Sequence, residues 1–263
     1  MKKLVFLVVL SAGMTSAEDK VDYAGPDGQA IDAADVNSGK IKTYTEFRSG
    51  ILIKVDYSNG VMVRSAELGR DGRTTRLALY AAGKPSTVTV FDERGKPSRV
   101  DTLVGGIVAS SIEVGADGQK TLQRRYEGGL PAFVAYFDAL GREWKREFFK
   151  NGVLTQVQYY HKSNRPVKQE DYERGAMTTV MYYNTNQAIT RQEEYRDGVV
   201  RIAASFDGAG KKTRLEQYEN GVLSVVQFFR NEKMIRQESF VNGSLSQTTD
   251  YDAAGKAIRM DRN

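Results

Sequence analysis

The sequence predicts an all-β fold, an elongated array of about nine 23-residue β-hairpin repeats forming a continuous antiparallel sheet, and three observations carry that prediction. First, an aromatic-x-x-Gly motif recurs with its glycine at Gly60, Gly83, Gly106, Gly129, Gly152, Gly175, Gly198, Gly221 and Gly243, spaced by 23 residues seven times and then by 22. The residue three before each glycine is Tyr57, Tyr80, Leu103, Tyr126, Phe149, Tyr172, Tyr195, Tyr218 or Phe240, aromatic in every case but Leu103. Second, Leu68, Phe91, Val114, Phe137, Tyr160, Tyr183, Phe206, Phe229 and Tyr251 run between the first series, most of them followed four residues later by glycine, as at Gly95, Gly141 and Gly210. Third, the segments between these two turn positions are about eight residues long, β-branched and aromatic, as in Val153–Tyr160 and Val222–Phe229. A fixed internal period of this length is the mark of a repeat architecture, and short β-rich runs bounded by turn residues read as strands.

Composition sets the outer limits. The chain has 263 residues, 38 Lys and Arg against 33 Asp and Glu, one His, no Cys, 14 Tyr, one Trp and five Pro. Without cysteine there is no disulfide framework, no thiol chemistry and no lipid-bearing cysteine. Acids accompany the bases throughout, so no basic stripe points to nucleic acid.

Taken in order, residues 1–17 read as a secretory signal peptide. Met1-Lys2-Lys3 supplies the basic start, Leu4–Leu10 the apolar core and Thr15-Ser16-Ala17 the small residues of a cleavage site. Left uncut, the same run would be an N-terminal anchor; no later segment is long and apolar enough to span a bilayer, so the mature chain carries no membrane span. Cleavage would leave 36 basic and 33 acidic residues, a balance of +3. The expected location is exported, periplasmic or extracellular. Residues 18–46 stand outside the repeat phase and read as a linker or an N-terminal cap, which an array of hairpins needs to shield its first edge. Residues 47–263 form the repeat domain. Its first turns carry Asn59-Gly60, Asn151-Gly152, Asp197-Gly198, Asn220-Gly221 and Asn242-Gly243, the dipeptides of tight hairpins. Its second turns replace glycine with Asn164, Gln187 and Lys233 in three repeats. With two strands per repeat the domain holds some 18 strands, and at ~4.8 Å between neighbours the sheet extends about 85 Å. No helix is expected, and whether the sheet is open, curved or rolled stays open.

The segments Phe149-Lys150-Asn151-Gly152-Val153-Leu154 and Tyr218-Glu219-Asn220-Gly221-Val222-Leu223, each with an aromatic eleven residues after its first, resemble the MORN-repeat variant of bacterial proteins, some described as antitoxin components. Phe137-Asp138-Ala139-Leu140-Gly141, Phe206-Asp207-Gly208-Ala209-Gly210 and Tyr251-Asp252-Ala253-Ala254-Gly255 are similar to the YD repeats of RHS proteins. Both resemblances imply a β-hairpin scaffold, and the first implies a neutralising role against a partner toxin; neither transfers a site residue.

One register carries more information. Lys145, Lys168, Arg191, Arg214 and Arg236 lie four before the first aromatic series, and Glu147, Glu170, Glu193, Glu216 and Glu238 lie two before it; Arg259-Met260-Asp261 is a shorter sixth copy. Residues i, i+2 and i+4 of a strand share a face, so this basic-x-Glu-x-aromatic unit sets out parallel rows of positive, negative and aromatic groups. Two readings follow. The charges can neutralise one another along the sheet, at roughly 0–1 kcal/mol per pair. Alternatively Tyr172, Tyr195 and Tyr218 with Arg191, Arg214 and Arg236 form a partner-binding strip, since Tyr and Arg favour binding hot spots. The aromatics can also cover the apolar columns Leu154, Met177, Val200, Leu223, Leu245 and Val157, Val180, Ala203, Val226.

Catalytic inventory is thin. No Gly-x-Ser-x-Gly elbow, phosphate-cradling glycine run or dinucleotide fingerprint is present, and His161 is the only His. The carboxylate pairs Glu170-Asp171 and Glu193-Glu194 are the remaining candidates for glycoside chemistry, but the same Glu recurs in five repeats. The expectation is therefore a non-enzymatic exported scaffold with no cofactor, metal or catalytic residue, binding a protein or envelope component. An antitoxin or immunity protein, or a surface binding glycan, are the alternatives.

Overall fold

The computed structural model describes residues 22–25, 29–37, 43–48, 51–58, 60–162 and 164–262. The expected signal peptide, residues 26–28 and Asn59 lie outside them. The fold is all-β, and the chain divides into two units, residues 1–83 and 84–263.

The first unit contains β1 (Asp22–Ala24), β2 (Thr43–Arg48), β3 (Ile51–Ser58), β4 (Val61–Leu68) and β5 (Thr74–Ala81), paired antiparallel in chain order. It also contains a short helix, α1 (Ala33–Asn37), which corrects the expectation that the chain has none. Asp32 starts it: the Asp32 carboxylate accepts the Ala34 N–H at 2.7 Å, the bond of an N-cap. The helix persists because Val36 is buried against Tyr44 and Val55, with Tyr23, Ile31, Ile53, Tyr57 and Met62 around them. Tyr23 meets Tyr44 edge-on at 5.4 Å and Tyr57 stacks on Tyr44 at 5.9 Å, arrangements that favour aromatic rings. Tertiary burial thus overrides a helix too short to stand alone.

The second unit is a meander of sixteen strands: β6 (Lys84–Phe91), β7 (Pro97–Val104), β8 (Ile107–Val114), β9 (Lys120–Glu127), β10 (Leu130–Phe137), β11 (Glu143–Lys150), β12 (Val153–Tyr160), β13 (Pro166–Glu173), β14 (Ala176–Tyr183), β15 (Ile189–Arg196), β16 (Val199–Phe206), β17 (Lys212–Glu219), β18 (Val222–Arg230), β19 (Lys233–Val241), β20 (Ser244–Tyr251) and β21 (Ala257–Arg262). Consecutive strands from β6 to β21 pair antiparallel in chain order. Among the described residues no ladder joins β21 to β6, so this sheet is open.

The period is now explained. Eight residues of strand, a two-residue turn, eight of strand and a five-residue loop make 23, as from β12 through β14. The two-residue turns need φ > 0 at both positions, +52° and +77° at Asn151 and Gly152, which is the type I′ geometry matching strand twist. Gly221 shows why the second position is glycine: its φ is +80°, and a Cβ there would lie 3.1 Å from Val199 Cγ1 of the preceding repeat. Four of the five-residue loops are closed by an aspartate. Asp92 Oδ1 accepts the N–H groups of Arg94 and Lys96 at 2.9 and 2.8 Å, and Gly95 N donates to the Asp92 carbonyl. Asp138, Asp207 and Asp252 repeat the pattern, while His161 occupies the same slot with its backbone alone closing the loop.

Asn164 and Gln187 stand at positive φ in place of glycine, as the sequence implied, but Lys233 does not. Between β18 and β19 the five-residue loop contracts to the two-residue turn Asn231-Glu232, with φ of +50° and +65°, and Lys233 becomes the first residue of β19. Each flanking strand lengthens to nine residues, which is why this one spacing is 22. A glutamate in the left-handed region is strained by about 1–2 kcal/mol. Glu232→Gly is therefore expected to stabilise the protein by about 0.5–1 kcal/mol after glycine's own entropy in the unfolded chain is subtracted; urea unfolding checks it.

Every ladder of the second unit carries one register shift near a turn. Phe148 faces Gln156 and Phe149 faces Leu154, leaving Thr155 over. Its hydroxyl donates to the Phe148 carbonyl at 3.2 Å, and Thr178, Ser224 and Ser246 do the same in their own repeats. These bulges add twist and hold it in register.

Candidate functional site

Sheet register places the residues of each row side by side. Val134, Glu147, Val157, Glu170, Val180, Glu193, Ala203, Glu216, Val226 and Glu238 are successive cross-strand partners, one per strand from β10 to β19. Glutamate and a small aliphatic residue therefore alternate, keeping neighbouring carboxylates about 10 Å apart, two strand spacings. Val226 is fully buried, Val180 is 2% exposed, and Glu170 and Glu216 are 8% and 6% exposed. Among the described residues of this unit every element is a strand of the one sheet, so no second layer of its own produces this burial. The long side chains on either side of the row close over it, as amphipathic stems do.

The flanking row on one side alternates bases with aromatics: Tyr136, Lys145, Tyr159, Lys168, Tyr182 and Arg191 face one another across successive strands. Lys145 Nζ lies 4.9 Å from the Tyr136 ring and Lys168 Nζ 5.2 and 5.8 Å from the rings of Tyr159 and Tyr182, in cation–π contact. On the other side Phe149, Tyr172, Tyr195, Tyr218 and Phe240 pair with Leu154, Met177, Val200, Leu223 and Leu245, as the apolar-column reading expected.

Hydrogen bonds tie the three rows together. Glu170 accepts Lys168 Nζ at 2.7 Å, Tyr172 Oη at 2.9 Å and Tyr159 Oη at 3.2 Å. Glu193 accepts Arg191 Nε at 2.7 Å and Tyr195 Oη at 2.8 Å. Glu216 accepts Tyr218 Oη and Arg191 Nη2, each at 2.9 Å, and pairs with Arg214 Nη2 at 3.0 Å. Arg191 reaches across β16 because the residue opposite it is Ser205, where the neighbouring repeats carry Tyr182 and Phe228.

The six strip residues named from sequence thus share one face, the ladder face, and five of them are bonded to its glutamates. Arg236 is the exception. It is exposed and turns to Asp250, its direct cross-strand partner, at 2.7 Å, away from Glu238. Sequence reasoning missed Tyr136, Tyr159 and Tyr182, whose hydroxyls donate to Glu147, Glu170 and Glu193 at 3.0, 3.2 and 3.5 Å. A signal existed: these tyrosines immediately precede the second aromatic series and repeat at 23 residues, with Phe228 at the same phase.

Electrostatics follow the bonds. Burial disfavours the charged form of Glu170, but Lys168, Tyr172 and Tyr159 together hold its pKa below the ordinary value. For Glu216 burial is likewise outweighed, by Arg191, Tyr218 and Arg214. The phenols move the other way: burial first, then the adjoining carboxylates, push Tyr172 and Tyr195 up to about 12. A raised phenol pKa leaves stability intact below the unfolded value of about 10 and removes it as pH rises towards 12. Tyrosinate absorbance is expected to show this pair titrating about two units above free tyrosine, and Glu193→Gln should bring Tyr195 down.

Chemically, Glu170 and Glu216, each saturated by three donors, are held ionised and have little capacity left to bind or move a proton. Glu170 and Asp171 project to opposite faces, as do Glu193 and Glu194, so neither pair brackets one sugar. On the reverse face an open hollow of about 260 Å³ is lined by Glu143, Arg146, Tyr160 and Asn164. There Glu143 holds Arg146 at both oxygens, at 2.7 and 2.6 Å, and the guanidinium lies over Phe133 at 5.1 Å. Among the described residues no group of three His, Asp or Glu side chains could hold a metal ion.

No protein-family model matches the chain, and no curated protein does. Among solved structures, accessory secretory protein 1, 2 and 3 of Streptococcus pneumoniae is similar over 36% of this chain and 19% of its own, with 18% identity and a TM-score of 0.28. TarM of S. aureus is similar over 52% of this chain and 21% of its own, with 10% identity and a TM-score of 0.21. A porin-like protein from Bacteroides uniformis covers 81% and 90%, with 8% identity and a TM-score of 0.21. The chain spans about a fifth of the length of the first two. At these scores the likenesses carry no argument.

Proposed function

We propose that this protein is a non-enzymatic, exported repeat scaffold that binds a protein or cell-envelope partner through its ladder face. The observation that carries this reading is the regular presentation of partly exposed aromatic rings in register with lysine and arginine side chains, on a sheet face that no described element of the second unit covers. Charges already neutralised within the sheet cost a partner little to desolvate, while the rings offer rigid contact area at small entropic cost. The saturated glutamates support a binding role over a chemical one. The basic and apolar character of residues 1–17 supports export.

A photo-reactive benzoylphenylalanine introduced at Arg236, on the ladder face, is expected to yield a discrete adduct with one envelope or secreted protein of the source cells. The same group at Glu194, on the reverse face, should yield none. Equal labelling from both positions, or a substrate turnover abolished by one point change, would sink the proposal.

A further inference from the structure

We infer that β21 is a self-complementary edge through which two copies of this chain pair into a two-fold symmetric dimer. This goes beyond the partner proposed above and does not depend on it. Among the described residues β21 pairs with β20 alone, and all six of its residues are exposed. Its ladder-face residues are Arg259 and Asp261, which pair with each other at 2.8 Å with side chains 68% and 51% exposed. Ile258 and Met260 are 65% and 53% exposed. Met260 takes the reverse-face place that Gln237 holds on β19, next to Thr249.

Antiparallel self-pairing has few registers to choose from. Centred on Met260, it sets Arg259 opposite Asp261 of the second copy, Asp261 opposite the second Arg259, and Met260 opposite itself. Centred one residue earlier or later, it opposes Arg259 to Arg259 or Asp261 to Asp261. The half-step towards the C-terminus sets Arg259 against Arg262, and the half-step towards the N-terminus leaves both charges opposite apolar residues. Opposed like charges across strands are destabilising and opposite ones stabilising. The charges that blunt this edge against foreign strands thus specify one partner. The two-fold axis stands perpendicular to the sheet, so the ladder faces of both copies emerge on the same side. A contact of five residues per strand is small, and the dimer is a weak, reversible one.

Met260→Cys tests the register, because the chain has no cysteine of its own. Directly opposite residues of an antiparallel ladder have Cα atoms about 4.5–5.5 Å apart, within disulfide reach. Under mild oxidation Met260→Cys is expected to form a covalent dimer at least about tenfold faster than Arg262→Cys, whose twin lies about 13 Å away along the ladder. Adding Arg259→Glu or Asp261→Lys should each abolish the cross-link. Mixing the two doubly substituted proteins should restore it, since both opposite-charge pairs re-form between them. That rescue separates pairing from damage to the fold. Equal rates for the two cysteines, cross-linking indifferent to the charge changes, or no rescue on mixing would each overturn the inference.

Discussion

Val226→Asp is expected to unfold the C-terminal repeats, with a loss of more than about 4 kcal/mol. Val226 is fully buried and lies between Glu216 and Glu238 in the cross-strand row. A carboxylate there would be desolvated and flanked on both strands by like charge. The nearest cations are already committed, Arg214 and Arg191 to Glu216. The isosteric Val226→Thr should cost only about 1–3 kcal/mol, the desolvation of a hydroxyl. Repeat arrays hold together through nearest-neighbour interfaces, so the damage should be local. Hydrogen exchange is expected to show β17 to β19 losing protection while β7 and β8 keep theirs. Uniform loss across the sheet, or an unchanged urea midpoint, would show that the alternation of glutamate and aliphatic residue does not govern stability.

Glu216→Ala has the second largest expected effect, about 2–3 kcal/mol at neutral pH, because it strands Arg214 and Tyr218 where their acceptor was and leaves Arg191 to Glu193 alone. Its pH dependence has a definite sign. The folded-state pKa values of Glu170 and Glu216 lie below the ordinary carboxylate value. Their stabilisation is therefore fully present above about pH 4.3 and is lost as pH falls through the lower folded-state values. Glu216→Gln should be less stable than the parent at neutral pH, with the gap narrowing on acidification. Urea midpoints measured from neutral pH down to about pH 3 decide this; a constant gap would mean that hydrogen bonding to the ionised group is not what holds the row.

Much of this fold is legible in the residues because it is written in local chemistry. Left-handed positions demand glycine or asparagine, so Asn151-Gly152 and Asn220-Gly221 announce hairpins wherever they fall. Strand alternation then assigns Lys168, Glu170 and Tyr172 to one face without knowledge of any partner. The 22-residue spacing was visible too, but its cause was not. Whether the missing residue came from strand or loop depends on the pairing of β18 with β19, which lengthened both strands and placed Asn231 and Glu232 at the bend. The helix α1 was hidden because five residues carry no period, and only the burial of Val36 makes them helical.

Within the repeats the sequence by itself determined the strands, all the turns but Asn231-Glu232, the repeat length and the membership of each face, since each follows from the conformational preferences of a few adjacent residues. Tertiary structure alone decided which donor each carboxylate takes. Arg191 serves Glu193 on its own strand and Glu216 two strands away, and Arg236 abandons Glu238 for Asp250. Those choices turn on cross-strand neighbours such as Ser205 and Asp250, whose proximity is set by pairing register and bulges, over distances along the chain that local preference does not reach.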